Sequence, residues 1–215
     1  MIKSQRHGLK NYFSFFKLMI KIIDPDPSIP FQKFCNYFKK AKANKDKLVD
    51  AMVVSTFNNN SPSSRFVNCK YLLNDEFIFF TNYNSPKSED ILQNKKAALL
   101  FYWHSINMQI RIVGDAKKTS SEFSDGHYKK RDVKKNAIAH SSNQSRDIKS
   151  FDEMTMKYQE MLSNNEVLQT RPDFWGGISI KPLYFEFWEG SEFRLNKRES
   201  FKLNNNDWIK NILQP

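Results

Sequence analysis

Side chains near the end of the chain could hold an anion beside a planar ring. Arg194, Asn196 and Arg198 occur at every second position of the segment SEFRLNKRES, residues 191–200, which follows Trp188 closely. In an extended strand, residues two apart share a face, so these three side chains would form one polar row. The pattern predicts either a binding surface for an anion and a ring or an ordinary solvated edge strand, and both interpretations stay open.

A second candidate for anion binding is the segment HYKKRDVKK, residues 127–135. It contains five Lys or Arg residues and one Asp. Such a cluster usually forms a solvated helix face, and otherwise it contacts phosphate on a polymer or on a small ligand. The chain carries a net charge of +11, but the charge is concentrated here and in the first fifty residues. This distribution favours a small anionic ligand over a nucleic acid.

The composition excludes several classes of function. With 215 residues and 40% hydrophobic residues, the chain is expected to form one globular domain. It has six Gly and neither a glycine-rich dinucleotide motif nor a Walker motif. Cys35, Cys69 and the four His show no metal-ligand spacing, so we expect no metal, and we expect a reducing cytoplasm. The apolar stretch 12–23 contains two Lys and is shorter than the about 20 residues of a membrane span.

Alternating and β-branched segments predict the sheet that would position these side chains. Strands are predicted at 50–58, 65–73, 77–83, 97–105, 108–119, 175–190 and 191–204, and the first three are expected to form a meander. Helices are predicted at 31–45, at 85–95 and over most of 121–163. The order indicates a mainly β fold with helices (α+β), an antiparallel barrel decorated by helices. We expect an N-terminal arm or lid helix at 1–23 and one domain at 24–215.

Seven short motifs occur in the order and spacing of the pyridoxamine/pyridoxine 5′-phosphate oxidase family. They are RFVNCK, FFTNYNSPKS, LLFYWHS…MQIRIVG, NQS, DFWGG, FEFWEG and RLNKR. The chain resembles this family over roughly residues 24–215. The resemblance implies a split β-barrel homodimer that binds FMN between its subunits. It also implies oxidation of pyridoxamine or pyridoxine 5′-phosphate to pyridoxal 5′-phosphate, with O₂ as the electron acceptor.

The resemblance also implies which residues hold FMN. Arg65 and Lys87 match the family's phosphate contacts, while Trp188 and Arg198 match an aromatic and a cation beside the flavin. The full set of matching positions is Arg65, Phe66, Val67, Lys70, Phe80, Thr81, Lys87, Gln109, Gln144, Ser145, Trp188 and Arg198. Pro86 stands where the family usually carries another phosphate-binding Arg, so we expect weaker FMN binding here.

The substrate side departs further from the family pattern. The substrate-binding positions implied by the resemblance are Lys10, Lys70, His127, Arg131, Lys135, Arg194 and Asn196. Arg194 is expected to orient the substrate ring and is the expected catalytic residue. His127, Lys135 and Asn196 replace a Tyr, a Ser and a His of the family, and these exchanges could suit a phosphate or a carboxylate.

Three functions therefore remain open. The first is a pyridoxamine/pyridoxine 5′-phosphate oxidase, a cytoplasmic homodimer that forms H₂O₂ and has neither a membrane nor a nucleic-acid partner. The second is a related flavin oxidase that tailors an aromatic secondary metabolite of the phenazine type. The third is a flavin- or anion-binding module without turnover, whose basic cluster would meet a nucleic acid or an acidic partner.

Overall fold

The computed structural model describes residues 19–58 and 61–215. Lys10 and most of the expected arm or lid helix lie outside these residues. The described helices are α1 (Ile29–Ala43), α2 (Pro86–Asn94), α3 (Ser121–Tyr128), α4 (Val133–Ser141) and α5 (Phe151–Leu162). The described strands are β1 (Lys21–Ile23), β2 (Ala51–Asn58), β3 (Ser61–Asn68), β4 (Tyr71–Leu73), β5 (Glu76–Asn82), β6 (Lys96–Trp103), β7 (Met108–Lys118), β8 (Trp175–Glu189), β9 (Lys197–Asn204) and β10 (Asp207–Leu213). None of these helices is long and apolar enough to cross a membrane.

The strands form one sheet that curls into a half-barrel. Its order is β1-β4-β5-β8-β7-β6-β2-β3, with β9 paired to the carboxyl-terminal part of β8 and β10 paired to β9. The pairing of β1 with β4 is parallel and the other pairings are antiparallel. The α+β split-barrel prediction is confirmed. The last three residues of the predicted arm belong to the sheet, as strand β1.

Strand β8 connects two parts of the molecule. Its amino-terminal part, 175–180, pairs with β5, and its carboxyl-terminal part, 184–189, pairs with β9. Opposite Val113 and Gly114 of the neighbouring strand β7, β8 carries one extra residue, Leu183, and this bulge bends β8. A Cβ at Gly114 would collide with the carbonyl oxygen of Lys181, so the bulge requires glycine. The two ends of β8 therefore contribute to two separate surfaces.

Helix α1 closes the concave side of the sheet with aromatic side chains. Its apolar positions 31, 34, 35 and 38 predict one buried helical face, and all four are buried. Phe34 lies 4.8 Å from Phe77 and 5.2 Å from Phe101 between ring centroids, edge to face. This aromatic core fixes β5 and β6 relative to the helix, and β5 carries part of the site described below.

The meander prediction was wrong. The segment 65–73 is not one strand, because the chain leaves β3 at one edge of the sheet and enters β4 near the other. At the crossing, the Cys69 N–H donates to the carbonyl of Asp50 and the Lys70 N–H to that of Ile78. The Cys69 bond is the last one to the segment of β2, and the Lys70 bond is the first one to β5, so the chain changes its partner strand between these two residues although the alternation of side chains continues.

The prediction of a strand from residue 191 was also wrong. Residues Glu192–Arg194 form a 3₁₀ turn, and β9 begins only at Lys197. Phe193 and Arg194 have φ angles of 57° and 63°, which reverse the chain direction and end the alternation. Arg194 and Asn196 therefore do not share a strand face with Arg198.

Candidate active site

One cavity gathers most of the side chains that the sequence singled out. Its volume is about 1410 Å³, more than the about 300–1,000 Å³ of a site for one small ligand. Among the expected cofactor and substrate residues, it is lined by Arg65, Phe66, Val67, Lys70, Phe80, Thr81, Lys87, His127, Arg131, Lys135, Gln144 and Ser145. The cavity therefore has room for two ligands side by side.

The end of the cavity around Arg65 and Lys87, here called the Arg65 end, carries two cations. Lys87 is only 7% exposed, and its Nζ donates to Thr81 Oγ1, Ser85 Oγ and Gln144 Oε1 at 2.9–3.0 Å. All three acceptors are neutral. Burial, and then the charge of Arg65, lower the pKa of Lys87 to about 8. Among residues 19–58 and 61–215, Lys87 forms no ion pair with a carboxylate, and a buried ammonium of this kind can pair with an anion.

Local sequence explains why Lys87 lies at this position. Ser85 precedes Pro86 at the first turn of α2, where proline suits the helix start. The hydroxyls of Ser85 and Ser88 both donate to the carbonyl of Asn82, at 2.7 and 2.9 Å. These bonds fix the start of α2 on the end of β5, so that Lys87 lies beside Thr81.

Stacked rings occupy the middle of the cavity. The ring centroids of Phe80 and His127 are 3.6 Å apart with an angle of 9° between the rings, and those of Phe80 and Trp175 are 5.4 Å apart with an angle of 17°. The Tyr71 hydroxyl lies 2.9 Å from His127 Nδ1. Burial, followed by the charges of Arg131 and Lys70, lowers the pKa of His127 to about 3. His127 is thus a neutral planar group that can exchange hydrogen bonds without adding charge.

We expect the His127 imidazole to stay neutral between about pH 5 and pH 8. The unfolded chain takes up this proton near pH 6.5, whereas the folded ring does so only near pH 3. This group therefore makes the folded state lose stability as the pH falls below about 6.5. Nuclear magnetic resonance of histidine-labelled protein, assigned with a His127→Phe variant, measures the titration. A midpoint near 6.5 for His127 would contradict the prediction.

The other end of the cavity, here called the Arg131 end, carries five cations. They are Lys21, Lys70, Lys130, Arg131 and Lys135. The Arg131 guanidinium lies 4.3 Å above the Trp175 ring, and burial lowers its pKa to about 10. Lys70 Nζ lies 3.5 Å from Asp50 Oδ2, and burial lowers the pKa of Lys70 and raises that of Asp50. This end can neutralise a strongly anionic group.

Several lining or supporting residues were missed in the sequence. Lys21 was placed in the arm, and Lys130 was part of the basic cluster without a role of its own. Trp175 belongs to the motif DFWGG, which could have indicated it. Tyr71 and Asp50 have no local signal, because their roles depend on contacts with His127 and Lys70 across the fold.

Five of the expected site residues within the described part of the chain do not line this cavity. Gln109, Trp188 and Arg198 form a row across three strands, since Trp188 pairs with Gln109 on β7 and with Arg198 on β9. Trp175 lines the cavity, and Trp188 follows thirteen residues later on the same strand, about 40 Å away along it. The row, named the Trp188 row, and the cavity therefore lie apart in one protomer. Arg194 and Asn196 lie on the turn between β8 and β9.

A buried carboxylate holds the cation of the Trp188 row. Glu186 is 2% exposed, and its Oε1 accepts from Arg198 Nε and Nη2 at 3.0 and 2.7 Å. Its Oε2 accepts from Arg111 Nη1 at 2.7 Å and from the Tyr184 hydroxyl at 3.1 Å. Each oxygen of Glu186 is thus paired, and Arg198 is fixed beside the half-buried Trp188.

Two family models match most of this chain. Residues 44–165 match the family model described as pyridoxamine 5′-phosphate oxidase. Residues 175–215 match the model described as the pyridoxine 5′-phosphate oxidase C-terminal dimerisation region. The second match contains β8, β9 and β10, and thus the whole Trp188 row except Gln109.

Similar proteins cover nearly the whole chain. The pyridoxine/pyridoxamine 5′-phosphate oxidase 1 of Hydrogenovibrio crunogenus is 37% identical over 213 residues, covering 97% of both chains. The corresponding oxidase of Leptospira biflexa is 38% identical over 188 residues, covering 86% of this chain and 89% of that one. The crystal structure of PhzG from Burkholderia lata, in complex with tetrahydrophenazine-1-carboxylic acid, has a TM-score of 0.83 at 26% identity, covering 88% of this chain and 94% of that one. An FMN-binding protein from Nostoc punctiforme shares the fold, with a TM-score of 0.71 at 14% identity and coverage of 88% and 99%.

Proposed function

This chain belongs to the pyridoxamine 5′-phosphate oxidase family, and on that basis we propose that it is an FMN-dependent oxidase. Its substrate would be pyridoxamine or pyridoxine 5′-phosphate, its product pyridoxal 5′-phosphate, and O₂ would be reduced to H₂O₂. The observation that carries the proposal is one cavity with a cationic site at each end and stacked rings between them. This arrangement suits two planar molecules that each carry a phosphate.

The Arg65 end fits the phosphate of FMN. Lys87 and Arg65 supply the positive charge, and Thr81, Gln144 and Ser145 supply smaller polar groups. Within the described part of the chain, the buried Lys87 ammonium donates to neutral oxygens and has no carboxylate partner, which supports an anionic ligand at this place. When bound, FMN would supply the two-electron chemistry that amino-acid side chains lack.

The Trp188 row would complete the site from the partner subunit. Trp188 and Arg198 are candidates for contacts with the flavin, but neither of them lines the cavity of its own chain. The match to a dimerisation region supports a homodimer in which each row faces the other subunit's cavity. On this proposal, the turn with Arg194 and Asn196 reaches the substrate from the same side.

The Arg131 end would bind the phosphate of the substrate and orient its ring. Lys70, Arg131 and Lys135 provide charge, and the neutral His127 provides a hydrogen-bonding group beside the ring. Asp132 is the one carboxylate among the described lining residues, and it accepts a hydrogen bond from the Lys134 N–H at 2.8 Å. The cavity thus offers binding and orientation rather than a free carboxylate base. The two buried free thiols, Cys35 and Cys69, suit a cytoplasmic location.

A second candidate is a flavin oxidase for an aromatic carboxylic acid. The similarity to PhzG in complex with tetrahydrophenazine-1-carboxylic acid favours it. Lys135 and Asn196, which depart from the family pattern at the substrate side, are consistent with either a phosphate or a carboxylate.

Anaerobic flavin bleaching tests the proposed function. The FMN-loaded protein is mixed with pyridoxamine 5′-phosphate without O₂, and the visible flavin band is followed. We expect rapid bleaching that air reverses, with pyridoxal 5′-phosphate formed. A bound flavin that stays oxidised would contradict this substrate and favour the second candidate. Failure of FMN to bind would favour an anion-binding module without turnover.

Replacing Pro86 with arginine is expected to tighten FMN binding about tenfold, the effect of one added charge-assisted hydrogen bond. Pro86 lines the cavity next to Lys87, where the new guanidinium can reach the phosphate. Quenching of flavin fluorescence measures the dissociation constant. Pro86→Ala is the matched control, since it removes the ring without adding charge. Equal affinities for the two variants would show that position 86 does not face the phosphate.

A further inference from the structure

Tyr71 and His127 form a pair of side chains on the wall of the cavity. The Tyr71 hydroxyl lies 2.9 Å from His127 Nδ1, and the two rings meet edge to face with their centroids 5.5 Å apart. Both residues line the cavity. Tyr71 belongs to β4 and His127 to the last turn of α3, so folding brings the pair together from distant segments.

The neighbouring rings fix the orientation of this pair. Phe80 stacks on the His127 imidazole, and Phe123 packs edge to face on Tyr71 with ring centroids 5.2 Å apart. Tyr71 is buried. Packing thus fixes the plane of the imidazole, and the Tyr71 hydroxyl occupies one of its two nitrogens. The other nitrogen, Nε2, has no hydrogen-bond partner among residues 19–58 and 61–215.

A neutral imidazole carries one proton, and the position of that proton decides what Nε2 can do. Burial raises the pKa of Tyr71, so the phenol keeps its proton. Within the part of the chain that the structure describes, the only partner of this hydroxyl is His127 Nδ1. The phenol proton is therefore bonded when the hydroxyl donates to an unprotonated Nδ1. The imidazole proton then lies on Nε2, which becomes a donor.

The opposite tautomer would conflict with an anionic ligand. If Nδ1 carried the proton, Nε2 would present a lone pair, whereas a phosphate or a carboxylate offers acceptors only. The cations Arg131 and Lys70 do not donate to Nε2 either, since their polar contacts among the described residues are with Asn136 and Asp50. A protonated Nε2 is thus the form of His127 that can contact an anion in the cavity.

We propose that Tyr71 is a positioning residue that fixes His127 as a hydrogen-bond donor, through Nε2–H, to the anionic group of the ligand at the Arg131 end. The inference rests on the proposed function, which assigns the phosphate of the substrate to this end. In this role Tyr71 contacts the imidazole, and His127 contacts the ligand. The pair adds one directed, neutral donor beside the five cations, so it fixes where the anionic group lies without adding charge.

Nuclear magnetic resonance measures the tautomer of His127 directly. In the whole chain with nitrogen-15-labelled histidine, the chemical shifts distinguish a protonated from an unprotonated ring nitrogen, and a His127→Phe variant assigns the signals. Near pH 7 and without substrate, we expect the proton on Nε2. In Tyr71→Phe we expect a mixture of both tautomers. A protonated Nδ1 in the unaltered protein, or the same tautomer in both proteins, would overturn the inference.

A double-mutant cycle tests whether the pair acts on the ligand. Isothermal titration of the FMN-loaded protein measures the affinity for pyridoxal 5′-phosphate. We expect Tyr71→Phe to weaken binding about fivefold, the effect of one misdirected hydrogen bond. In a His127→Phe background the same substitution should have no further effect, because the donor that it positions is already absent. His127→Gln keeps a neutral N–H donor and should lose less affinity than His127→Phe.

Tyr128→Phe is the matched control. It removes a buried hydroxyl next to His127 in the sequence, and this hydroxyl has no hydrogen-bond partner among the described residues. We expect the affinity for pyridoxal 5′-phosphate to stay unchanged. An equal loss in Tyr128→Phe and Tyr71→Phe, or a loss from Tyr71→Phe that persists in the His127→Phe background, would overturn the inference. Absence of pyridoxal 5′-phosphate binding to the unaltered protein would overturn it as well.

The inference and the proposed function can fail separately, since the tautomer is measured without substrate. Bleaching by pyridoxamine 5′-phosphate with the proton on Nδ1 would retain the oxidase and reject the role of Tyr71. A proton on Nε2 and a coupled loss of affinity, without bleaching, would retain the role of Tyr71 and reject pyridoxamine 5′-phosphate as the substrate.

Discussion

Replacing Lys87 with methionine is expected to weaken FMN binding about ten- to hundredfold, the range for losing one charged hydrogen-bond donor. The Lys87 ammonium is buried, and among the described residues it donates to neutral oxygens alone. Its positive charge is therefore available to pair with the phosphate of FMN. Methionine keeps the length of the side chain and removes only the charge and the donors. Flavin fluorescence quenching measures the dissociation constant, and Lys129→Met is the control because Lys129 lies outside the cavity lining.

The same lysine predicts how FMN binding depends on pH. The pKa of Lys87 in the free protein is about 8, and a bound phosphate would raise it, so above pH 8 the complex holds more protons than the free protein. FMN affinity should therefore fall as the pH rises above about 8 and change little between pH 7 and 8. In Lys87→Met the dependence should be absent. An affinity that stays constant to pH 9.5 in the unaltered protein would exclude Lys87 as the phosphate contact.

Parts of the fold with a local cause could be predicted from the sequence. The buried face of α1 follows from its 3–4 spacing, and the start of α2 follows from Ser85 and Pro86. The crossing at Cys69 and Lys70 could not be predicted, because the change of backbone partner from Asp50, beside β2, to Ile78 on β5 is a contact between distant parts of the chain. The alternation of apolar and polar side chains over residues 65–73 predicts one continuous strand.

Some residues of the candidate site are likewise indicated by the sequence, and others depend on the fold. Arg65 and Lys87 were predicted from a family resemblance, because an isolated Arg or Lys has no signature of its own. The turn at Phe193 and Arg194 has positive φ angles without glycine, which no local residue preference indicates. Lys21 and Asp50 could not be predicted, because they lie at the site only after the chain has folded and β1 and the crossing segment at Cys69 and Lys70 have packed beside the cavity.

The separation of the cavity from the Trp188 row has a consequence for catalysis. We propose that each active site takes its cavity from one subunit and its row from the other. A substitution in the cavity then alters the site of its own chain, and a substitution in the row alters the site of the partner chain. A dimer with Lys87→Met in one chain and Arg198→Met in the other would contain one doubly altered site and one unaltered site. Methionine at position 198 leaves Glu186 paired with Arg111 and Tyr184, so the strand pairing is expected to persist.

We therefore expect this mixed dimer to recover about half of the unaltered activity, although each parent homodimer loses most of it. The two chains carry different affinity tags, are expressed together and purified over both tags, and H₂O₂ formation from pyridoxamine 5′-phosphate is measured. The control pairs Lys87→Met with Arg65→Ala: both residues line the same cavity, so every site in that mixed dimer carries one change and no recovery should occur. No recovery in the Lys87→Met/Arg198→Met dimer would mean that the Trp188 row does not serve the partner's cavity, and recovery in the control would mean that Lys87 and Arg65 of one chain do not belong to the same site. Recovery in the latter alone would assign Arg198 to the opposite subunit's site, because only a shared site can be restored by two chains that are each defective.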